Sequence, residues 1–337
     1  MSWITDLTSQ KKPIVALAPM DGYCDSAFRA ICKKVAPETV VFSEFYSADG
    51  LFHNPKLAEK VLTHDPIEHP LIFQIFGNNP DTFLAAGKLI ESYGAQGVDI
   101  NMGCPAKKVV KCGYGSGLMI DQDRAMKIVS ILAENLNIPV SVKTRLGWTN
   151  ADELIEFGQA LQNAGTQLIT VHGRTFQQEY TGEANWEPIY ELQKTLTIPV
   201  LGNGDCKNYN DGIQKIQVPC NEGREMTTNS ELGTLNLELA LAGFMIARGA
   251  LGNPWCFLPD NYVPTWKERI TVMEEHMQRM ILTKGEQRSC LEIRKHFVHY
   301  LHGFDGVREY RKRLASLTSL HEAETILDEL SQITDIR

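Results

Sequence analysis

Apolar and polar positions alternate along this chain on the scale of whole elements. Short runs rich in Val, Ile and Leu begin near Ile14, Val40, Leu71, Gly97, Pro139, Leu168, Pro199 and Phe244, with helical-length amphipathic stretches between them. The runs are continuously apolar, which suits strands covered on both faces, and their alternation with helices points to parallel pairing through right-handed crossovers. Eight such units predict a closed (β/α)8 TIM barrel of the α/β class. A doubly wound sheet would be expected to carry a glycine-rich fingerprint after its first strand, and none follows Ile14-Val15-Ala16-Leu17.

The pattern changes after Phe257. Pro259, Asp260, Asn261 and Pro264 interrupt regular structure, and from about Trp266 the periodicity is helical to the end. The expected organisation is a barrel over residues 1–258 followed by a small all-helical C-terminal domain over residues 259–337. A length of 337 residues accommodates both.

Charge refines this picture. The net charge of −8 argues against a protein that coats polyanions non-specifically. Between Lys284 and Arg313, however, 8 Lys or Arg face 4 Asp or Glu, so this stretch carries +4 and the remainder −12. A polyanion site is therefore expected to be local, in the helical tail. The eight cysteines form no C-x-x-C pair and Met1–Lys12 has no apolar signal core, which leads us to expect reduced thiols and a cytoplasmic protein. No run approaches the length of a membrane span.

In a barrel the strand C-termini share one face, and that face carries the chemistry. Here the ends read Ala18-Pro19-Met20, Ser43-Glu44, Gln74, Asn101-Met102-Gly103-Cys104-Pro105, Lys143-Thr144-Arg145, His172-Gly173-Arg174, Asn203-Gly204-Asp205 and Arg248-Gly249. The seventh and eighth ends combine bare backbone beside glycine with one guanidinium, the materials of a phosphate site. Solvated tight turns are the plainer alternative. Lys143 should point into the barrel mouth, where an ammonium is costly unless it meets an anion. A reduced flavin is such an anion, with Gln74 and Asn101 able to serve its pyrimidine edge; a structural ion pair of Lys143 with Asp99 or Glu44 is the alternative. His172, Arg174 and Arg145 supply a hydrogen bond and positive charge to cofactor or substrate, with a structural His172 as the plainer option.

Cys104 stands just beyond the fourth strand, ahead of Lys107, Lys108 and Lys111 and the triplet Gly113, Gly115 and Gly117, which suggests a loop built to move. With no Cys or His at metal spacing nearby, no metal is expected. His296, His299 and His302 recur at intervals of three, but Arg294 and Lys295 beside them favour a basic helical face over a metal site.

Taken in order, Ala18-Pro19-Met20, Phe73-Gln74-Ile75-Phe76-Gly77, Asp99-Ile100-Asn101-Met102-Gly103-Cys104-Pro105, Val142-Lys143-Thr144-Arg145-Leu146-Gly147, Val171-His172-Gly173-Arg174-Thr175, Asn203-Gly204-Asp205 and Gly249-Ala250-Leu251-Gly252-Asn253-Pro254-Trp255 resemble the tRNA-dihydrouridine synthase family over most of residues 13–258. Arg294-Lys295-His296 and Gly306-Val307-Arg308-Glu309-Tyr310-Arg311 resemble its helical tRNA-binding domain, most closely in bacterial B-type members. The resemblance implies an FMN enzyme that uses NADPH to reduce the C5–C6 bond of a uridine in the tRNA D-loop. It implies FMN contacts from Pro19, Met20, Gln74, Asn101, Lys143, His172, Asn203, Gly204, Asp205, Arg248 and Gly249, and a general acid in Cys104. Hydride delivered to uracil C6 leaves a carbanion at C5 that a thiol can protonate, and an ordinary cysteine is mostly protonated at neutral pH. Lys107, Lys108, Lys111, Arg145, Arg174, Arg294, Lys295, Arg308, Arg311, Lys312 and Arg313 are the expected tRNA or substrate contacts, on a monomer.

Two other readings share parts of this evidence. A barrel flavoprotein acting on a free pyrimidine or enone would have no use for the basic tail, and a tRNA-binding module with a vestigial flavin site would not need Cys104, Lys143 and His172 together. The stretch Asp211–Asn236 is longer and more polar than the family's usual seventh helix, and is expected to be a solvent-side excursion.

Overall fold

The computed structural model describes residues 2–217, 239–304 and 306–333. Eight parallel strands, β1 (Ile14–Leu17), β2 (Val40–Ser47), β3 (Leu71–Phe76), β4 (Gly97–Asn101), β5 (Val140–Arg145), β6 (Leu168–His172), β7 (Val200–Asn203) and β8 (Gly243–Ile246), pair in chain order. β8 returns to β1, which closes the barrel. The expected fold is the observed one. Continuous burial along the strands reflects cover on both faces: Val41, Phe73, Val98, Val142 and Ile169 pack outward against the helices, whereas Ile14, Val40, Phe42, Ile72, Leu168, Leu201 and Met245 fill the interior.

The helix Trp3–Ser9, which the strand–helix periodicity does not announce, adds Trp3 and Ile4 to that interior cluster. The Trp3 indole lies against Gly97 at the start of β4, so this helix plugs the end of the barrel where strands begin. β2 runs farther than its apolar start suggests, because a register shift between Phe42 and Phe45 carries Glu44 into the strand and extends pairing with β3 to Ser47.

Four further helices follow, Trp266–Lys284, Glu286–Tyr300, Arg308–Ala315 and Leu320–Ser331. Thr265 opens the first with a capping box shared with Glu268. Their common core includes Met273, Met277, Phe297, Leu314 and Leu330, and it also takes in Ala27 and Trp255 from the barrel. Docking is polar as well as apolar. Lys284 pairs with Asp25 over 2.5 Å. Arg269 donates to the carbonyls of Gly252 and Tyr300 at 3.0 and 3.1 Å, with its guanidinium over Trp255 and Phe304.

This docking corrects the basic-face expectation for the tail histidines. His296 is wholly buried, against Tyr23, Phe28 and His276. Ser289, Cys290, Ile293, His296, Phe297 and Tyr300 are the buried residues of their helix, so His296 sits on its i, i+3, i+4 core stripe. His302 is exposed. Of the expected excursion, Asp211–Ile216 completes the helix Tyr209–Ile216, and Gln217 bridges to Leu239; residues 218–236 of it lie outside the described residues. Among the described residues no helix is long and apolar enough to cross a membrane.

Candidate active site

The C-terminal ends of the strands surround an open cavity of about 1300 Å³, whose wall includes Pro19, Met20, Gln74, Asn101, Cys104, Lys143, Arg145, His172, Arg174, Asn203, Gly204, Asp205, Arg248 and Gly249. Strand register explains the convergence. Asn101 pairs with Lys143, Arg145 with His172, and His172 with Asn203. Lys143 and Arg145, two apart on β5, share a face.

Lys143 is half-buried at the base of this cavity and donates to Asn203 Oδ1 over 3.0 Å. No carboxylate lies within 4.0 Å of it among the described residues, so the structural ion pair with Asp99 or Glu44 is not formed. Burial, with Arg145 alongside, lowers Lys143 to about 8 despite the opposing pull of Asp99 and Cys104. Burial and the cations Lys143, Arg145, Arg174 and Arg248 push His172 down to about 2, so its imidazole is neutral.

Backbone closeness builds the end of the cavity at β7 and β8. Gly204 has φ +116°, and a Cβ there would come within 2.7 Å of Ala184 Cβ; at Gly249 it would meet the Lys207 carbonyl at 2.2 Å. Arg174 is buried, donates to the Thr181 and Gly182 carbonyls and pairs with Asp205 over 2.7 Å. Its Nη1 is buried with no partner among the described residues. Asp205 also accepts from the Ala184 N–H and lies 3.8 Å from Arg248, so its carboxylate organises the two arginines. The Arg248 side chain is 72% exposed and open to an anion.

Cys104 is half-buried, and burial raises its thiol above the usual range. Asn101 Oδ1 accepts from the Gly103 and Cys104 N–H groups at 3.2 and 3.0 Å. Arg145 clamps the same turn, donating to the carbonyls of Gly103, Thr175 and Glu179. The glycine triplet beyond it is not a free hinge. Gly115–Met119 is a wholly buried 3-10 turn, and Gly115 (φ +57°) lies so close to Cys104 that an added Cβ would sit 3.0 Å from the Cys104 carbonyl oxygen. These glycines permit packing, which replaces the expectation of a mobile loop.

Gln74 and Asn101 are largely committed to each other. Gln74 Nε2 donates to Asp99 Oδ2 at 2.7 Å, and Asn101 Nδ2 donates to Gln74 Oε1 at 2.8 Å. Each amide retains one N–H for a ligand.

The cations assigned to RNA contact are dispersed. Lys107, Lys108 and Lys111 occupy an exposed helix beside the cavity. Lys295 donates to the Gly22 carbonyl and stacks on Tyr23, while Arg294 donates to the Leu317 carbonyl at the end of the neighbouring helix. Arg313 forms a two-bond pair with Glu329, and Lys312 pairs with Glu309 at 3.1 Å. Arg308 is exposed and Arg311 half-buried. Tyr23 and Tyr180 also line the cavity, as does the tail's His299, which the sequence places on a basic helical face. Tyr180 stands over Arg145. No local pattern marks either tyrosine.

The sequence model of the family described as "Dihydrouridine synthase (Dus)" matches residues 16–335. A probable tRNA-dihydrouridine synthase 1 of Synechocystis sp. is 34% identical over 94% of this chain and 85% of its own length. A tRNA-dihydrouridine synthase B of Pseudomonas aeruginosa is 31% identical over 89% of this chain and 87% of its own. Among solved structures, a 2-naphthoyl-CoA reductase complex is similar in fold, with a TM-score of 0.51 at 11% identity over 72% of this chain and 48% of that one.

Proposed function

Since the chain belongs to the dihydrouridine synthase family, we propose that it is an FMN-dependent, NADPH-driven tRNA-dihydrouridine synthase that reduces the C5–C6 bond of a D-loop uridine. One observation carries the reading: a single cavity holds a half-buried ammonium and a buried guanidinium nitrogen, the first without a carboxylate partner and the second without any partner among the described residues, together with a thiol kept protonated by burial. The first two suit an anionic, phosphorylated cofactor. The third suits a proton donor.

The residues present fit FMN. Arg248, the unpartnered Nη1 of Arg174 and the bare backbone at Gly204 and Gly249 would hold its phosphate, and Lys143 with the remaining N–H groups of Gln74 and Asn101 would hold its ring. Bound FMN supplies the hydride for uracil C6. Cys104 gives its Sγ proton to C5, so one hydride and one proton saturate the double bond and the thiolate is reprotonated from solvent. Arg145 holds the Cys104 turn. His172, neutral, contributes no charge and acts as a hydrogen-bonding wall.

The working unit is a cytoplasmic monomer divided after residue 258, since the cavity and the tail helix that reaches its rim through His299 belong to one chain. The test is direct: protein purified with its flavin, NADPH and unmodified tRNA are combined, and dihydrouridine is mapped by position. Turnover of free uracil at a rate matching tRNA would transfer the assignment to a small-molecule reductase.

A further inference from the structure

One barrel interior layer lies between the apolar core and the cavity, and it contains a carboxylate that the proposed reaction does not use. Gln74, Asp99 and Ser141 are register partners on β3, β4 and β5. Asp99 is fully buried, accepts from Ser141 Oγ at 2.6 Å through Oδ1, and accepts from Gln74 Nε2 at 2.7 Å through Oδ2. From Gln74 the chain of bonds continues to Asn101 Nδ2 and, through Asn101 Oδ1, to the peptide N–H groups of Gly103 and Cys104.

The direction of this chain is fixed at both ends, by the Asp99 carboxylate and by the donor-only peptide N–H groups of Gly103 and Cys104. A carboxylate only accepts, so Gln74 must turn Nε2 toward Asp99 and Oε1 toward Asn101. Asn101 must then present its Nδ2 to Gln74 and its oxygen to the Cys104 turn. Flipping either amide would set oxygen against oxygen or N–H against N–H in a buried layer, at the cost of unsatisfied polar groups.

We propose that Asp99 is a positioning residue for the proton-transfer half of the reaction, holding the Cys104 thiol in place through Gln74 and Asn101, with Ser141 as its anchor. This rests on the proposed role of Cys104 as acid. Asp99 is fully buried, is not part of the cavity wall and serves no other bond among the described residues. Gln74 and Asn101 would also hold the flavin ring, so loss of the carboxylate should loosen flavin somewhat; misplacing a reacting group by about 1 Å can cost about a hundredfold in rate, so with flavin saturating the larger effect should fall on tRNA reduction.

The experiment separates the half-reactions in the holoprotein and measures the thiol independently of turnover. In Asp99→Ala we expect flavin reduction by NADPH within about twofold of the parent and oxidation of the reduced flavin by tRNA slower by about 10- to 100-fold, with tRNA affinity unchanged. Asp99→Asn should recover most of the loss, because Ser141 Oγ can turn to accept from the new amide and leave its oxygen facing Gln74. Alkylation of Cys104 by iodoacetamide, followed by peptide mass spectrometry with exposed Cys112 as internal reference, should rise about fivefold in Asp99→Ala as the turn loosens, with or without bound flavin.

Equal slowing of both half-reactions at saturating flavin would make Asp99 act only through the cofactor cradle and overturn the proposal. Parental tRNA reduction and alkylation would overturn it too. If Asp99→Ala does not fold, Ser141→Ala, which removes one of the two anchoring bonds, is read by the same measurements for the same pattern at smaller amplitude. A Cys104→Ala control that still reduces tRNA would sink the acid assignment, while the alkylation rates would still decide whether Asp99 places the thiol.

Discussion

Lys143 of β5 and Asn203 of β7 meet across the strand between them, with Nζ donating to Oδ1 at 3.0 Å. The amide is not free to turn, because its Nδ2 donates to the Met245 carbonyl at 2.9 Å. The ammonium is thus anchored by a neutral oxygen and left without a counter-ion among the described residues. Lys143→Met should weaken flavin retention and make the bound flavin harder to reduce, by roughly 30 mV or more, the equivalent of about 1.4 kcal/mol in a two-electron couple. Dye-equilibration potentiometry checks this; an unchanged potential would remove Lys143 from that role.

Cys104→Ala should leave flavin content and its reduction by NADPH intact while product formation falls about 100-fold or more, since only the C5 step needs the proton. Stopped-flow measurement of flavin reoxidation by tRNA provides the comparison. Reoxidation at the parental rate would exclude the thiol as acid.

The docking surface between tail and barrel should respond to acid. Burial, against the pull of Asp25, lowers His276 to about 4, and His296 is also lowered. Between about pH 6.5 and 4 the unfolded chain therefore binds more protons than the folded one, and stability falls as pH drops through that window. At pH 4 the loss from His276 alone is of order 3 kcal/mol. Asp25 acts elsewhere: although burial opposes it, Lys284 and the two histidines hold its carboxyl well below the usual range, so its contribution disappears only under more acidic conditions. His276→Phe should flatten the Tm profile between pH 7 and 4.5, and a parental slope would locate the acid response in other groups.

The tail cations should divide by partner. Charge reversal at exposed Arg308 is expected to weaken tRNA binding several-fold and to reduce its salt dependence without changing Tm. Reversal at Arg313 breaks its pair with Glu329 and should lower Tm as well. Titrations at several salt concentrations, alongside thermal melts, test both; equal salt slopes in parent and Arg308→Glu would move the RNA surface to Lys107, Lys108 and Lys111.

The barrel and its ring of cavity residues were legible because two simple signals coincide: continuous apolar runs mark the strands, and polar residues at their ends must share one face. The partner of each long side chain was not legible. Arg174 finds Asp205 and Arg313 finds Glu329 across 31 and 16 residues, and nothing local dictates either choice. Gly115 illustrates a second limit, since a glycine that permits motion and one that permits close approach have the same sequence signal. His296 illustrates a third: a polar residue on a helix core stripe reads as surface until its helix is packed. Asp99 stands two residues before Asn101, hence on the same strand face, but only register with Gln74 and Ser141 reveals what that shared face connects.

Gly252 (φ +65°) admits no side chain, because a Cβ there would strike the His299 backbone at 2.2 Å. Its carbonyl and that of Tyr300 accept from the same Arg269 nitrogen. His299 lines the catalytic cavity one residue earlier. The tail helix and the cavity rim are therefore joined backbone against backbone at Gly252 and His299. A graft that replaced the tail would need to reproduce that close backbone seat as well as the charge.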